Sequence, residues 1–416
     1  MTPILYLFIL VISASEKIDY RNYKLYKITP KDENSVYMLR EMELGSSDRT
    51  PYDFWNGVVD VDSPVNILVS PAYQDEFEFC LKFMNIDKEV VVNDIQEIFD
   101  DEQPLSDEPN PVNWTLYNTL DEINNWLGSL QEEFSDTVTL LQPGKTHEGR
   151  DIVGVKVDFS PNTKKSAIFV ESNIHAREWI TSAVSTYILD ELLRSTDDRV
   201  VWAAKTFTWY FFPIMNPDGF VYSHTDDRKW RKTRTRYNIF CWGADPNRNW
   251  EFEWMLKGAS SNPCSDIYAG PNPLSEPSVR VMRDFINTIG KDLTAYFSFH
   301  SYGQLLMLPY GHTPEHLENY DEMREIGEIA IENMRNISGK IYSIGNVAEL
   351  LGESSGRSMD WVKEKFETPI VYSWEMRDTG NYGFALPADQ IIPTGEETLE
   401  SILTILEEYS SRHSYF

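Results

Sequence analysis

The stretch Ser166-Ala167-Ile168-Phe169-Val170-Glu171 is apolar except at its ends and lacks the alternation of a half-exposed strand. Similar runs recur at 207–214, 295–299 and 369–375, between stretches of helical periodicity. Strands with two apolar faces need helices on both sides of their sheet. The sequence therefore predicts an α/β domain over residues 113–416, with a mixed, mostly parallel sheet and helices on both faces.

A smaller unit is predicted before this domain, in residues 16–99. The pattern indicates strands at 23–28, 65–69 and 89–92 and helices at 34–44 and 74–84. This order is typical of a small α+β open sandwich. Residues 100–112 are acidic, contain proline and have few apolar side chains, so we expect a linker there.

Composition limits the partners that the chain can have. It has 416 residues, 41% of them hydrophobic, which is enough to bury more than one typical core. The net charge is -29, from 37 basic and 66 acidic residues. Because nucleic acids and anionic membranes attract clustered positive charge, we expect neither as a partner.

The first 15 residues predict a signal peptide. An apolar run at residues 4–12 is followed by Ser13, Ala14 and Ser15, small residues typical of a cleavage site. The run is too short to span a bilayer. We therefore expect a secreted, extracellular protein.

Polar residues suited to catalysis follow three of the predicted strands, namely His175, His300 and Glu375. Open α/β sheets bind ligands at the carboxyl ends of strands, so these side chains should converge. Together with Glu178, the two histidines would supply two nitrogens and one carboxylate and leave a position for water, which is typical of a catalytic zinc site. Taken alone, the His-x-x-Glu spacing also fits an ordinary helix start.

Six longer strings surround these candidates. They are His175-Ala176-Arg177-Glu178-Trp179, Asn216-Pro217-Asp218-Gly219, Arg228 through Trp230-Arg231-Lys232-Thr233-Arg234, Asp245-Pro246-Asn247-Arg248-Asn249-Trp250, His300-Ser301-Tyr302, and Glu375-Met376-Arg377-Asp378-Thr379-Gly380. In order and spacing they resemble the digestive zinc metallocarboxypeptidases of the carboxypeptidase A/B family. These are secreted proenzymes with an inhibitory N-terminal prosegment domain, which residues 16–99 would match.

The resemblance implies one Zn2+ per chain and a role for each residue near it. The ligands would be His175, Glu178 and His300. Asp245 would orient one histidine. Glu375 would act as general base and pass the proton to the leaving amine, and Arg231 would stabilise the oxyanion.

The resemblance also implies a site for peptide or protein C-termini. Arg248 with Asn247 would clamp the terminal carboxylate, because a guanidinium matches that group with two parallel hydrogen bonds. Further substrate contacts would come from Arg177, Arg228, Ser301, Tyr302 and Phe384.

Met359 aligns with the residue that reads the terminal side chain. A methionine there favours hydrophobic or aromatic C-terminal residues, because a pocket for Lys or Arg would need a buried acid. We expect Arg357, two residues earlier, to face solvent. If it points inward instead, acidic C-terminal residues become the preferred substrates.

Two features depart from the family pattern. Gly352 stands where the family usually has a mobile tyrosine, so we expect weaker substrate binding with turnover retained. No Lys or Arg occurs between Lys88 and Lys145. The activating protease is therefore expected to accept acidic or apolar sites.

The three cysteines cannot define a disulfide scaffold. Cys241 and Cys264 could close one loop in an oxidising compartment, which would leave Cys80 unpaired. We expect a monomer. Alternative functions are a zinc-binding pseudoenzyme that captures peptides without cutting them, and a purely structural secreted protein.

Overall fold

The N-terminal domain is built on a small antiparallel sheet. The computed structural model describes residues 17–44, 51–102, 112–161, 163 and 165–413. Within the first two ranges lie β1 (Lys24–Ile28), α1 (Glu33–Leu44), β2 (Tyr52–Phe54), β3 (Val65–Val69), α2 (Gln74–Phe83), β4 (Lys88–Val92) and α3 (Ile95–Asp101). The strand order is β2-β3-β1-β4, with every pairing antiparallel.

Two elements of this domain were not expected from the sequence. The edge strand β2 has three residues, too few to show a period of two. Asp94 caps the N-terminus of helix α3, where its side chain accepts a hydrogen bond from the Gln96 N–H, and the helix buries Ile95 and Phe99 one turn apart. The helix ends one residue beyond residue 100, where we expect the linker to begin.

The two faces of the small sheet have different neighbours. Tyr26 and Ile67 point to one face, where they pack with Leu39 of α1 and Phe77 of α2. Side chains of the other face form a second cluster, which includes Leu25, Leu68, Tyr302 and Phe384. The second domain thus covers the open side of the sandwich.

The second domain contains an eight-stranded sheet with the order β11-β10-β12-β9-β7-β8-β6-β5. Its strands are β5 (Val138–Lys145), β6 (Asp151–Val157), β7 (Ala167–Glu171), β8 (Thr208–Phe212), β9 (Leu293–Ser301), β10 (Leu305–Leu308), β11 (Ser343–Asn346) and β12 (Ile370–Met376). The central strands β12, β9, β7 and β8 are parallel, while β10, β6 and β5 add antiparallel pairings. The predicted mixed, mostly parallel sheet is confirmed.

Helices cover both faces of this sheet. They are α4 (Leu120–Glu133), α5 (Trp179–Arg194), α6 (Asp198–Thr206), α7 (Pro217–Thr225), α8 (Pro277–Ile289), α9 (Tyr320–Ser338), α10 (Val347–Leu351), α11 (Ser358–Phe366) and α12 (Ile391–His413). Ile168 and Phe297 pack in one core cluster, with side chains of α5 and α12. Phe169 and Tyr296 pack in the other, with side chains of α8 and α11. Both faces of the strands are apolar for this reason, as predicted.

Some expectations fall partly or wholly outside the described residues. These are the signal peptide at residues 1–15 and positions 103–111 of the linker. Across the described ranges, no helix combines the length and the apolar character that a membrane span requires. Cys241 and Cys264 are joined by a disulfide with a Cα–Cα distance of 4.9 Å, and Cys80 is a half-buried free thiol.

Candidate active site

Three buried side chains converge beyond the carboxyl ends of β7 and β9. Nδ1 of His175 lies 2.7 Å from Glu178 Oε1 and 3.2 Å from His300 Nδ1. His300 Nδ1 is 3.1 Å from Glu178 Oε2. One ligand atom from each residue therefore lies within 4.8 Å of the others.

The outer nitrogen of each imidazole has its own partner. Nε2 of His175 is 3.1 Å from Asp245 Oδ1, which assigns the ring proton to that side. Nε2 of His300 is 3.1 Å from Ser298 Oγ, and Ser298 donates to Glu171 Oε1 at 2.7 Å. The Nδ1 lone pairs then face each other and the Glu178 carboxylate.

This arrangement fits a zinc ion. Burial lowers the pKa of His300 to about 4, so its imidazole is neutral at pH 7 and available as a ligand. Lone pairs and carboxylate oxygens this close repel one another unless a cation lies between them. Two nitrogens and one carboxylate are a donor set that zinc prefers in sites with an open position.

Glu375 lies beside this cluster. The parallel register of β12 and β9 places Glu375 opposite His300. Burial raises the pKa of Glu375 well above its ordinary value, and the nearby Glu178 carboxylate raises it further. Arg357 and Arg231 oppose this rise without cancelling it. Such a carboxylate is suited to accept a proton near neutral pH.

Asp245 connects His175 with Arg231. Its Oδ2 accepts hydrogen bonds from Arg231 Nε at 3.1 Å and Nη2 at 2.8 Å, while Oδ1 faces His175. Burial disfavours the charge on Asp245, but Arg231 and His175 hold its pKa well below the ordinary value. Arg231 Nη1 also lies 3.9 Å from Glu178 Oε1, so its guanidinium borders the donor cluster.

Arg248 and Asn247 also adjoin Asp245, since the Asn247 N–H donates to Asp245 Oδ1 at 2.8 Å and Arg248 Nη1 lies 3.9 Å from Asp245 Oδ2. Arg248 donates from Nε to the Gly258 carbonyl at 2.8 Å and from Nη1 to the Asn247 carbonyl at 2.9 Å. Burial lowers the pKa of Arg248 to about 9, and the like charge of Arg357 adds to this. Asn247 Nδ2 is 3.2 Å from His300 Nε2, so the pair adjoins the metal ligands.

Four other predicted substrate residues are also buried at this edge. Tyr302 and Phe384 meet edge to face with a ring separation of 5.0 Å, and the Arg177 guanidinium lies 4.1 Å above the Phe384 ring. The Ser301 N–H is 3.4 Å from Glu178 Oε2. Met359 lies elsewhere, because it packs in the core cluster that contains Trp250 and Trp361.

Arg228 is engaged by groups that do not belong to the cluster. Its guanidinium forms a two-point ion pair with Glu102, at 2.7 and 2.9 Å. It also donates to the carbonyls of Arg177 and Phe384, each at 2.8 Å, and lies 3.7 Å above the Trp179 ring. Arg228 therefore joins the two domains, and none of these four hydrogen bonds is made to the cluster.

The expectation that Arg357 faces solvent is wrong. The residue is only 6% exposed, and its Nε donates to Ser354 Oγ at 2.7 Å. A Cβ at Gly311 would lie 2.7 Å from Arg357 Cδ, so the glycine makes room for the buried arginine stem. The sequence could not show this because Gly311 is distant along the chain.

Sequence reasoning also missed Glu171 and Ser298. Both are buried beneath His300, and the hydroxyl of Ser358 donates to the same Glu171 oxygen as Ser298. A signal was present: Ser298 precedes His300 by two residues between phenylalanines, and alternate strand residues share a face. The α/β fold and the His-Glu-His donor set together define a zinc metalloenzyme. Arginine side chains border its proposed metal site.

Comparison with known proteins identifies the family. The model described as zinc carboxypeptidase matches residues 123–401, and the one described as carboxypeptidase activation peptide matches residues 26–102. The chain therefore belongs to the zinc carboxypeptidase family. It is a metallocarboxypeptidase proenzyme that uses one Zn2+ and is activated by proteolytic cleavage.

Several relatives match most of the chain. Zinc carboxypeptidase A 1 of Anopheles gambiae is 40% identical, over 98% of this chain and 94% of that protein. A zinc carboxypeptidase of Simulium vittatum is 47% identical, over 72% of this chain and 98% of the relative. The crystal structure of carboxypeptidase A from Helicoverpa armigera superposes with a TM-score of 0.86 at 25% identity. The match covers 96% of this chain and 100% of the crystallised chain.

Proposed function

We propose that this chain is a secreted exopeptidase that removes single C-terminal residues, with Glu375 as its general base. The observation that carries this proposal is the register of β12 and β9, which places Glu375 beside His300 at the edge where His175 and Glu178 converge. A base next to a metal cluster is the arrangement that hydrolysis of a peptide bond needs.

In this proposal His175, Glu178 and His300 would hold the zinc ion, which would supply a Lewis acid for the scissile carbonyl. Glu375 takes a proton from the attacking water as its oxygen bonds to the carbonyl carbon. The same carboxyl group then gives that proton to the nitrogen of the breaking C–N bond. Asp245 keeps the His175 proton on Nε2 and so leaves Nδ1 free to bind metal.

Two arginines take distinct roles. Arg231 borders Glu178 and is held by Asp245, so its guanidinium can stabilise the negative charge that develops on the carbonyl oxygen. Arg248 has no carboxylate of the described residues nearer than Asp245, at 3.9 Å. It is therefore available for the free α-carboxylate of a substrate, assisted by Asn247.

The test compares peptides with free and amidated C-termini. The cleaved, zinc-loaded enzyme should release single residues from the free acid and leave the amide intact, as mass spectrometry would show. Internal fragments from either peptide would instead indicate an endopeptidase. Release from both forms would contradict the role of Arg248.

We propose that the N-terminal domain inhibits by covering the site. Asp53 forms an ion pair with Lys229 at 2.8 Å and lies 3.8 Å from Arg177. The Trp55 ring packs 5.3 Å from Phe384 and 6.3 Å from Tyr302. Cleavage within the linker would release the N-terminal domain. The linker contains no Lys or Arg, so the protease that cuts it cannot require either residue.

Metal removal should change both activity and stability. A chelator is expected to abolish turnover and lower Tm, because zinc binds only the folded chain and separates groups that otherwise repel. His300→Gln should bring zinc content below one per chain by elemental analysis. His316→Gln alters a partly exposed histidine paired with Glu349, so it should retain the metal. Full zinc binding by His300→Gln would contradict the ligand assignment.

The pH profile should report the raised pKa of Glu375. A base must be deprotonated to act, so kcat/KM is expected to rise with pH through the pKa of Glu375. Because burial raises that pKa, the acid limb should lie above pH 4.5. A profile that stays flat down to pH 4.5 would rule out this assignment. The measurement is kcat/KM across pH at saturating zinc.

A further inference from the structure

Arg357 is a buried cation that the proposed reaction does not use. Within the described part of the chain its single hydrogen bond runs from Nε to Ser354 Oγ. Among the same residues, Nη1 and Nη2 have no hydrogen-bond acceptor and no carboxylate forms an ion pair with them. A buried guanidinium without an anion is costly, so this arrangement indicates a position that a ligand completes.

The acid nearest in sequence does not neutralise Arg357. Burial lowers the pKa of Arg357, and the charges of Asp360, Glu375 and Asp245 oppose this only in part. Asp360 Oδ2 accepts the Gly311 N–H at 2.9 Å, and Asp360 Oδ1 has no hydrogen-bond partner within the described ranges. Gly311 and Ser354 thus fix the stem of Arg357, while the outer edge of its guanidinium stays available.

Arg357 is close to the proposed catalytic groups. Its neighbours in the chain contact the Asn247–Arg248 pair: the Ser358 N–H donates to Asn247 Oδ1 at 3.0 Å, and a Cβ at Gly356 would lie 2.4 Å from the Arg248 carbonyl oxygen. In addition to burial, the like charge of Arg357 lowers the pKa of Arg248. Arg357 and Arg248 are therefore two buried guanidiniums on adjoining segments. Their mutual repulsion would be relieved most by a ligand that carries two carboxylates.

We propose that Arg357 binds the side-chain carboxylate of a C-terminal glutamate or aspartate while Arg248 binds the α-carboxylate. This inference rests on the proposed exopeptidase function and names its substrate class. A planar guanidinium pairs with a carboxylate through two parallel hydrogen bonds. Met359 does not compete for this role, because its side chain is part of the core.

The experiment uses the zinc-loaded chain cleaved between residues 103 and 111 and two N-blocked dipeptides, one ending in Glu and one in Phe. Wild type should prefer Glu. Arg357→Gln should lower kcat/KM for the Glu substrate on the order of 100-fold, mainly through KM, and leave the Phe substrate nearly unchanged. Arg357→Lys should keep part of the preference. Arg335→Gln, at an exposed surface arginine, is the matched control.

Two results would overturn the proposal. One is a wild-type preference for Phe, and the other is an equal loss on both substrates, which would make Arg357 a general or structural residue. Calorimetry of both dipeptides with zinc-loaded Glu375→Gln measures recognition without turnover. If wild type cleaves neither dipeptide, the exopeptidase function fails, while the ratio of the two Kd values still decides the role of Arg357.

Discussion

Glu375→Gln is expected to lower kcat by about 1,000-fold to 10,000-fold, at the upper end of what one general acid–base residue contributes. Glutamine keeps the shape of the side chain but cannot accept a proton from water or return it to the leaving amine. KM should change little, since Arg248 and Arg357 are unaltered. The measurement is steady-state turnover of the zinc-loaded, cleaved enzyme.

A second prediction for Glu375→Gln concerns its Tm, and it differs from what a purely structural role of Glu375 would give. Burial raises the pKa of Glu375, so its ionised form destabilises the folded chain at neutral pH. A neutral glutamine removes that cost, and Tm should stay equal or rise. Glu332→Gln, at an exposed glutamate, is the control and should change neither turnover nor Tm. Turnover above a tenth of wild type, with zinc bound, would contradict the assignment.

The sequence predicted the elements whose signals are local. The strands around Phe169 and Phe297 were visible because a strand covered on both faces is apolar throughout. The convergence of His175, His300 and Glu375 followed from their position at strand ends, and the structure brings them together. The roles of the individual residues were predicted from the six motifs that resemble the family. The His-x-x-Glu spacing alone is ambiguous.

What the sequence could not predict depends on contacts between distant segments. Arg357 is buried because Gly311 leaves room for it, and no local pattern records that. Glu102 stands in an acidic stretch that is typical of a linker, yet it is buried because Arg228, 126 residues away, neutralises it. In both cases the partner decides whether a charge is buried.

Trp55→Ala is expected to raise the activity of the uncut proenzyme by about 30-fold to several hundred-fold, the effect of losing a buried aromatic anchor worth about 2–4 kcal/mol. Trp55 is 4% exposed, and its ring contacts the rings of Phe384 and Tyr302 across the domain interface. Its Nε1 donates to Asp53 Oδ2 at 3.0 Å, which helps to hold Asp53 toward Lys229. Losing the ring should therefore weaken both the aromatic packing on Phe384 and Tyr302 and the Asp53–Lys229 ion pair.

The Glu102–Arg228 pair will keep the variant from opening completely. That pair is about 1% exposed on both sides, and its two hydrogen bonds are independent of Trp55. The uncut variant should therefore remain less active than the cleaved enzyme. Adding Glu102→Ala should raise its activity further, because breaking a buried pair leaves a charge without a partner.

Cleavage supplies an internal control for the Trp55 prediction. Because residue 55 lies in the part that is removed, the Trp55→Ala and wild-type chains become the same enzyme after the linker is cut, and their activities must then agree. Phe79→Ala is the matched control on the uncut chain, since Phe79 is 71% exposed on α2. If Trp55→Ala and Phe79→Ala leave the proenzyme equally inactive, Trp55 does not anchor the N-terminal domain over the site. Inhibition would then rest on the ion pairs of Asp53 and Glu102.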